Sequence, residues 1–159
     1  MANLALQIPL LALLTASLPL AIIDIREHRL PNPITYSLGA ISVLGTALAS
    51  YANGDWERLL IASGLNLGIT AIGVLLFLLK GFGLGDVKLL FAMNQILGYF
   101  SPWLVLMSLT IALLTSAGFS LVGVLMGKMN WKDRIAFGPF LILGYAVLAA
   151  PLVVAPTLY

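Results

Sequence analysis

The stretch WLVLMSLTIALLTSAGFSLVGVLM, residues Trp103–Met126, decides the fold class, because it is long, apolar and free of charged side chains. A helix that crosses a bilayer needs about 20 such residues in a row. The rest of the chain is similar: 61% of the 159 residues are hydrophobic and 9% are charged, and the mean hydropathy is +1.07. A soluble domain of this size exposes too much surface to water for so few charges. The sequence therefore predicts an all-α polytopic membrane protein surrounded by lipid, and excludes a soluble enzyme, a disordered tail and a nucleic-acid binder.

Five further apolar segments are predicted to form membrane helices. They are Leu4–Ile23, Ile34–Tyr51, Leu59–Leu79, Val87–Phe100 and Ile135–Leu158. The segment Val87–Phe100 is short, since at about 1.5 Å per residue it covers roughly 21 Å of a hydrocarbon core about 30 Å thick. We therefore expect this fourth helix to begin below the membrane surface. The prediction is six transmembrane helices in a single membrane-embedded domain, residues 1–159.

Lysine and arginine positions predict the orientation, because these residues are enriched in cytoplasmic loops. Six spans place the loops at residues 24–33, 80–88 and 127–134 on one side, and these loops hold every basic residue except Arg58. Arg58 falls on the other side, next to Asp55 and Glu57. We therefore expect a multi-pass protein of the cytoplasmic (inner) membrane with both termini outside.

Two of the six acidic residues occupy unusual positions. Four are expected in polar, solvated surroundings: Glu27, Asp55, Glu57 and Asp133. Asp24 ends the first span, where the helix dipole disfavours a negative charge; an interfacial pair with Arg26 is the alternative explanation. Asp86 follows the glycine-rich stretch Lys80–Gly85 and opens the short helix. A helix cap would explain Asp86 alone, but not the alternating glycines, which permit unusual backbone conformations and close approach of another segment.

The charge distribution places both aspartates at the cytoplasmic ends of spans, near the edge of the hydrocarbon, where carboxylates are costly and usually functional. Two carboxylates in one partly desolvated site share a proton, so that one acts as a base and the other as an acid. Asp24 and Asp86 therefore indicate an aspartic peptidase, which requires no metal and no cofactor, in keeping with a chain that has one His and no Cys. A second hypothesis remains open, in which a non-enzymatic transporter or channel subunit uses the same two residues as an ion or proton relay.

Three patches of the sequence resemble the type 4 prepilin peptidases, which are intramembrane aspartic peptidases of the GxGD type. The first is Asp24 followed by Leu30-Pro31-Asn32, the second is Gly83-Leu84-Gly85-Asp86-Val87-Lys88-Leu89, and the third is Phe137-Gly138-Pro139-Phe140. They occur in the family's order and spacing, and the resemblance covers essentially the whole chain. It implies that Asp24 and Asp86 are the catalytic pair.

The resemblance also implies roles for several neighbours of this pair. Residues expected to shape the loop or bind substrate are Pro31, Asn32, Gly83, Gly85, Lys88, Gly138 and Pro139. For Lys88 the alternative is an ammonium group that extends to the lipid headgroups, and for Gly138-Pro139 it is a kink in the last helix. The uncharged polar residues Asn66, Asn94 and Gln95 are expected to form hydrogen bonds between helices.

The resemblance further implies the substrate. We expect a prepilin or pilin-like precursor, in which a short basic leader is joined to an apolar helix and the cut follows a glycine at that junction. Larger family members carry a four-cysteine zinc site and N-methyltransferase activity. Because this sequence contains no cysteine, it resembles the minimal, peptidase-only form of tight-adherence (Flp-type) pilus systems, and methyltransferase activity is not expected.

Overall fold

The structure is a computed structural model that describes residues 2–27, 30–79, 83–128, 130 and 135–154. These residues contain six helices and no strand, which confirms the all-α prediction. The helices are α1 (Ala2–Glu27), α2 (Asn32–Asn53), α3 (Trp56–Leu78), α4 (Leu84–Phe100), α5 (Pro102–Leu125) and α6 (Gly138–Val154).

Four of the helices, α1, α2, α3 and α5, are long and apolar enough to cross a membrane. The other two, α4 and α6, have 17 residues each. The prediction for α6 ran from Ile135 to Leu158, but the helix begins at Gly138, with Pro139 in its first turn. Proline suits that turn because its φ is already helical and its missing N–H would have no partner there. Residues 155–158 of the prediction lie outside the described residues.

The short helix α4 is surrounded by protein rather than by lipid. It contacts each of the other five helices, and most of its side chains are buried. The helices α3 and α5, in contrast, bury few of theirs and expose apolar side chains to the bilayer. A central helix needs neither the full bilayer length nor an unbroken apolar sequence, so α4 can carry polar residues.

The polar residues Gln95 and Asn66 join α4 to α2 and α3. The Gln95 Nε2 group donates to Thr46 Oγ1 of α2 at 3.2 Å and to Ser63 Oγ of α3 at 3.1 Å. The Asn66 Nδ2 group of α3 donates to Gln95 Oε1 at 3.0 Å and to the Phe91 carbonyl at 3.1 Å. The predicted interhelical bonds of Asn66 and Gln95 are thereby confirmed.

Asn94, unlike Gln95, does not join the described helices through its side-chain nitrogen. Its side-chain nitrogen is buried and has no hydrogen-bond partner within the described part of the chain. The interhelical hydrogen bond predicted for Asn94 is therefore not found at this nitrogen.

Two helix ends differ from the predictions at the residues that matter most. The helix α4 begins at Leu84, and its N-cap is Gly83, so Asp86 lies in the first turn rather than at the cap. The helix α1 continues to Glu27, so Asp24 lies inside its last turn. At the opposite end of the bundle Asp55 caps α3 and pairs with Arg58 at 3.8 Å, with both side chains largely exposed, as predicted for a solvated turn.

Candidate active site

Asp24 and Asp86 lie side by side at the end of the bundle where α1 ends and α4 and α6 begin. Their exposed fractions are only 5% and 8%. The position that a Cβ atom would take on Gly138 is 2.5 Å from Asp24 Oδ2 and 3.3 Å from Asp86 Oδ1. The two carboxylates therefore flank Gly138, and they are no farther apart than those two distances together. The structure brings together the pair that the sequence singles out.

Gly138 supports this pair through its backbone. Its N–H donates to Asp24 Oδ2 at 3.1 Å, and because Gly138 is the first residue of α6, this N–H has no acceptor inside the helix. The positive end of the α6 dipole thus faces the Asp24 carboxylate. Any side chain at position 138 would collide with the Asp24 carboxylate and crowd that of Asp86. Gly138 therefore begins the last helix beside the aspartates, and the alternative of a kink inside that helix is wrong.

The glycines before Asp86 provide space rather than unusual backbone angles. Gly83 has φ −83° and ψ 140°, which any residue can adopt. A Cβ on Gly83 would lie 2.9 Å from Asp86 Oδ2, and a Cβ on Gly85 would lie 3.0 Å from Leu30 Cβ. The expectation of an unusual conformation is wrong for Gly83, whereas the expectation of a close approach is confirmed. Gly81, the first glycine of the stretch, lies outside the described residues.

The backbone of Gly83 hydrogen-bonds the Asp86 carboxylate. An acidic side chain in the first turn that reaches back to the N-cap residue is one half of a capping box. Asp86 therefore faces the N-terminus of its own helix, α4, as Asp24 faces that of α6. Both helix ends stabilise negative charge in a place where burial opposes it. These helix ends therefore offset part of the cost of burying two carboxylates side by side.

A cavity of about 660 Å³ opens beside the two aspartates. Five of the predicted neighbours line it: Pro31, Asn32, Gly83, Gly85 and Lys88. The lining also includes four residues that sequence reasoning did not assign to the site: Glu27, Leu30, Phe77 and Leu84. Gly138 and Pro139 are not part of the lining. The two carboxylates therefore border a space large enough to hold several water molecules.

Lys88 is held by protein contacts at the edge of this cavity. Its Nζ donates to Asn32 Oδ1 at 2.7 Å and lies 4.5 Å from the centroid of the Tyr36 ring. A cation over an aromatic face is attracted by the ring quadrupole. These contacts join the first turn of α4 to the start of α2, so Lys88 links the segment that follows Asp24 to the segment that carries Asp86.

Of the site residues that were not predicted, some could have been identified from the sequence and others could not. Phe77 belongs to an apolar segment, and only the tertiary structure distinguishes it, whereas Leu84 lies between the two glycines of a family motif. Tyr36 lies one helical turn after Asn32, so the spacing of the two along α2 could have identified it. Glu27 was expected in a solvated loop, but it is the last residue of α1 and lines the cavity, because the helix runs farther than its apolar segment does. His28 and Asp133 lie outside the described residues.

Comparison with known proteins identifies relatives of this chain. The type IV leader peptidase family matches residues 11–154. A prepilin leader peptidase/N-methyltransferase of Burkholderia pseudomallei, in strains 1026b and K96243, is 32% identical in an alignment 142 residues long, which covers 84% of this chain and 43% of the relative. The chain thus spans less than half the length of these curated relatives, and no solved structure matches it. The family match includes Asp24, Asp86 and Gly138, and the chain belongs to the type IV leader peptidase family.

Proposed function

We propose that this chain is an intramembrane aspartic endopeptidase that removes the short basic leader from prepilin or pilin-like precursors at the cytoplasmic membrane boundary. The observation that carries the proposal is the placement of Asp24 and Asp86, which flank Gly138 and line one cavity. Family membership supports a peptidase over the alternative of a transporter or channel subunit with an ion relay.

The two carboxylates perform the hydrolysis by sharing one proton. The ionised member takes a proton from a water molecule, and the water oxygen forms a bond to the carbonyl carbon of the scissile peptide. The protonated member donates to the carbonyl oxygen as negative charge develops there. When the tetrahedral intermediate collapses, the C–N bond breaks and the leaving nitrogen receives a proton from the pair. The products are a new carboxyl end and a new amine, and no metal takes part.

The shape of the site suits a substrate that is polar on one side and apolar on the other. The cavity lies where helices end, so the leader can remain in water while the following helix remains in the bilayer. Glu27, at the cavity and exposed, together with the two aspartates, presents negative charge to a basic leader. A cut after a glycine at the junction fits the same place, since glycine allows an extended chain to approach the carboxylates closely.

The orientation follows from the charges at the two ends of the bundle. Arg26, Lys88 and Lys128 share the end that carries the aspartates, whereas Arg58 lies at the other end beside Asp55. We propose that the aspartate end is cytoplasmic and both termini are outside. Because the chain has no native cysteine, cysteines at Asn53 and Asn130 test this directly in intact cells. An impermeant thiol reagent should label position 53 and not position 130, and the reverse pattern would contradict the orientation.

The 159 residues are proposed to act as one membrane-embedded peptidase domain without methyltransferase activity. The relatives carry both activities in their name and are more than twice as long as the matched region. The family resemblance associates methylation with a four-cysteine region, and these residues contain no cysteine. Incubation with labelled S-adenosylmethionine should leave the cleaved product unmethylated.

Cleavage of a precursor is the decisive test. Short host proteins with a basic leader, a glycine and an apolar segment of about 20 residues are tagged and co-expressed with the chain, and their masses are measured. We expect one of them to lose its leader with the wild-type chain and to keep it with the double variant Asp24→Asn, Asp86→Asn. Leader removal by the double variant would contradict the aspartic mechanism, and its absence with the wild-type chain would favour the relay.

A further inference from the structure

A second cavity of about 510 Å³ forms a groove over α4, between α2 and α3. These two helices both lie against α4 but contact each other little, and the groove opens where they diverge. One face of α2, from Thr35 to Val43, forms one wall, and Thr70 and Val74 of α3 form the other. The lining is almost entirely apolar and faces the lipid side of the bundle.

The groove continues from the cavity that holds the aspartates. Leu84 and Lys88 of α4 line both spaces. On α3, Phe77 lines the catalytic cavity and Val74, one turn away, lines the groove. On α2, Asn32 lines the catalytic cavity and Tyr36, one turn away, lines the groove. All three helices therefore carry the lining without a break from the carboxylates into the apolar region.

The chemistry of the lining changes where the two spaces meet. Lys88 lies at that point, with Asn32 on its cavity side and the Tyr36 ring beneath its ammonium group. Beyond it, α2 presents the small residues Gly39 and Ala40, and small side chains allow another helix to approach closely in a membrane. A ligand that fits the whole path is polar at the carboxylates and apolar and helical in the groove.

We propose that this groove binds the apolar helix of the precursor, and that the helix is thereby held with its preceding residues at Asp24 and Asp86. The inference rests on the proposed function. A lipid acyl chain also fits apolar walls, but the continuity of the groove with the catalytic cavity favours an occupant that extends into both. The groove then selects precursors by the helix that follows the cut, while the cavity selects the leader.

Filling the groove tests the proposal. Ala40 is exposed, so Ala40→Trp fills the groove without entering the protein core. The matched control is Ala117→Trp, since Ala117 is an exposed alanine of α5 that lines neither space. With a precursor that the wild-type chain cleaves, we expect kcat/KM to fall at least tenfold for Ala40→Trp and to stay within twofold for Ala117→Trp. Normal cleavage by Ala40→Trp would overturn the groove alone, whereas no cleavage by the wild-type chain would overturn the proposed function and this inference with it.

Cross-linking identifies the occupant independently of turnover. A photo-reactive amino acid is placed at Val43 or at Ala117 in the Asp86→Asn background, and the tagged precursor is co-expressed. We expect position 43, and not position 117, to cross-link to the apolar segment of the precursor. Cross-links from position 43 to lipid alone, or equal precursor cross-links from both positions, would overturn the proposal.

Discussion

Two buried polar clusters along α4 differ in what surrounds them. In the middle of the helix, the Asn66 amide donates a hydrogen bond to Gln95, which in turn donates to Thr46 and Ser63, and all of these groups are uncharged. At the beginning of the helix, Asp86 meets Asp24 beside a cavity of about 660 Å³. The first cluster is closed by the protein, and the second opens into the cavity.

This difference separates a structural role from a chemical one. Neutral groups that satisfy one another inside a bundle hold three helices in place, and they have no proton to exchange with a substrate. Two neighbouring carboxylates, in contrast, are a costly arrangement, which a fold keeps where chemistry requires it. Polarity in a membrane protein therefore indicates function when it is charged and accessible, and packing when it is neutral and closed.

The largest effect is expected at the carboxylates themselves. Asp24→Asn and Asp86→Asn should each reduce precursor cleavage at least a hundredfold, because an amide cannot exchange the shared proton, and loss of an acid or base typically costs 10²–10⁴-fold. Each variant should remain inserted at wild-type abundance, since Asn has nearly the shape of Asp. Cleavage is measured by the mass change of the precursor at matched enzyme abundance.

Asp55→Asn is the control for these variants, because the Asp55 side chain is partly exposed at the opposite end of the bundle and its ion pair is with Arg58. It should cleave at the wild-type rate. If either site variant kept near-normal cleavage while the other lost it, the site would work with a single carboxylate and the proton-sharing mechanism would be wrong.

A smaller loss is expected when the support of the pair is disturbed. In Gly138→Ala the new methyl group would lie 2.5 Å from Asp24 Oδ2, so the carboxylate must move and its bond to the backbone N–H must lengthen. We expect cleavage to fall at least tenfold, about 1.4 kcal/mol in transition-state terms. Gly64→Ala is the matched control, since a Cβ at Gly64 has nothing within 4 Å. Equal cleavage by both variants would show that the position of Asp24 is not critical.

The two aspartates of the charged cluster, and Asn66 and Gln95 of the neutral cluster, were predicted from the sequence. Asp24 and Asp86 stand out because carboxylates are rare in apolar segments, the glycines stand out because they alternate before Asp86, and the family motifs lie on the same residues. The six helices follow from the lengths of the apolar segments. The helix α4 was recognised as short, but not as the central helix, because no local pattern shows which helix the others surround.

The geometry at Gly138 and the extent of the cavity could not be predicted from the sequence. The bond from the Gly138 N–H to Asp24 joins residues 114 positions apart, and no pattern within either segment specifies it. The place of Phe77 in the cavity lining is equally non-local. Helix ends were misplaced where a helix continues past its apolar segment, as α1 does through Arg26 and Glu27, since solvated residues can extend a helix beyond the membrane.

A substitution at Gly85 tests how strongly cleavage depends on the position of the first turn of α4. In Gly85→Val the first new carbon would lie 3.0 Å from Leu30 Cβ and 3.3 Å from the Leu30 backbone nitrogen. The connection between α1 and α2 must then shift away from α4, and Asp24 with it. We expect about a fivefold loss of cleavage, roughly 1 kcal/mol, at unchanged abundance. Gly118→Val, at a position with nothing within 4 Å of its Cβ, serves as the control, and a matching loss there would mean that the effect of valine is general.

The smallest effect on cleavage is expected at the neutral cluster, where the consequence should be stability. Gln95→Leu leaves the Asn66 amide with one bond fewer and removes the two bonds that Gln95 donates to α2 and α3, so the free energy of unfolding should fall by about 1–3 kcal/mol. Thermal unfolding in detergent measures this, with Thr110→Val as the control, because the exposed Thr110 hydroxyl bonds only its own helix. Cleavage per folded molecule should stay at the wild-type level, since α4 keeps Asp86 in place through its contacts with all five neighbouring helices. A Gln95→Leu variant that is stable and inactive would instead place the neutral cluster in the catalytic mechanism, and the distinction between closed and open polar clusters would not hold for this protein.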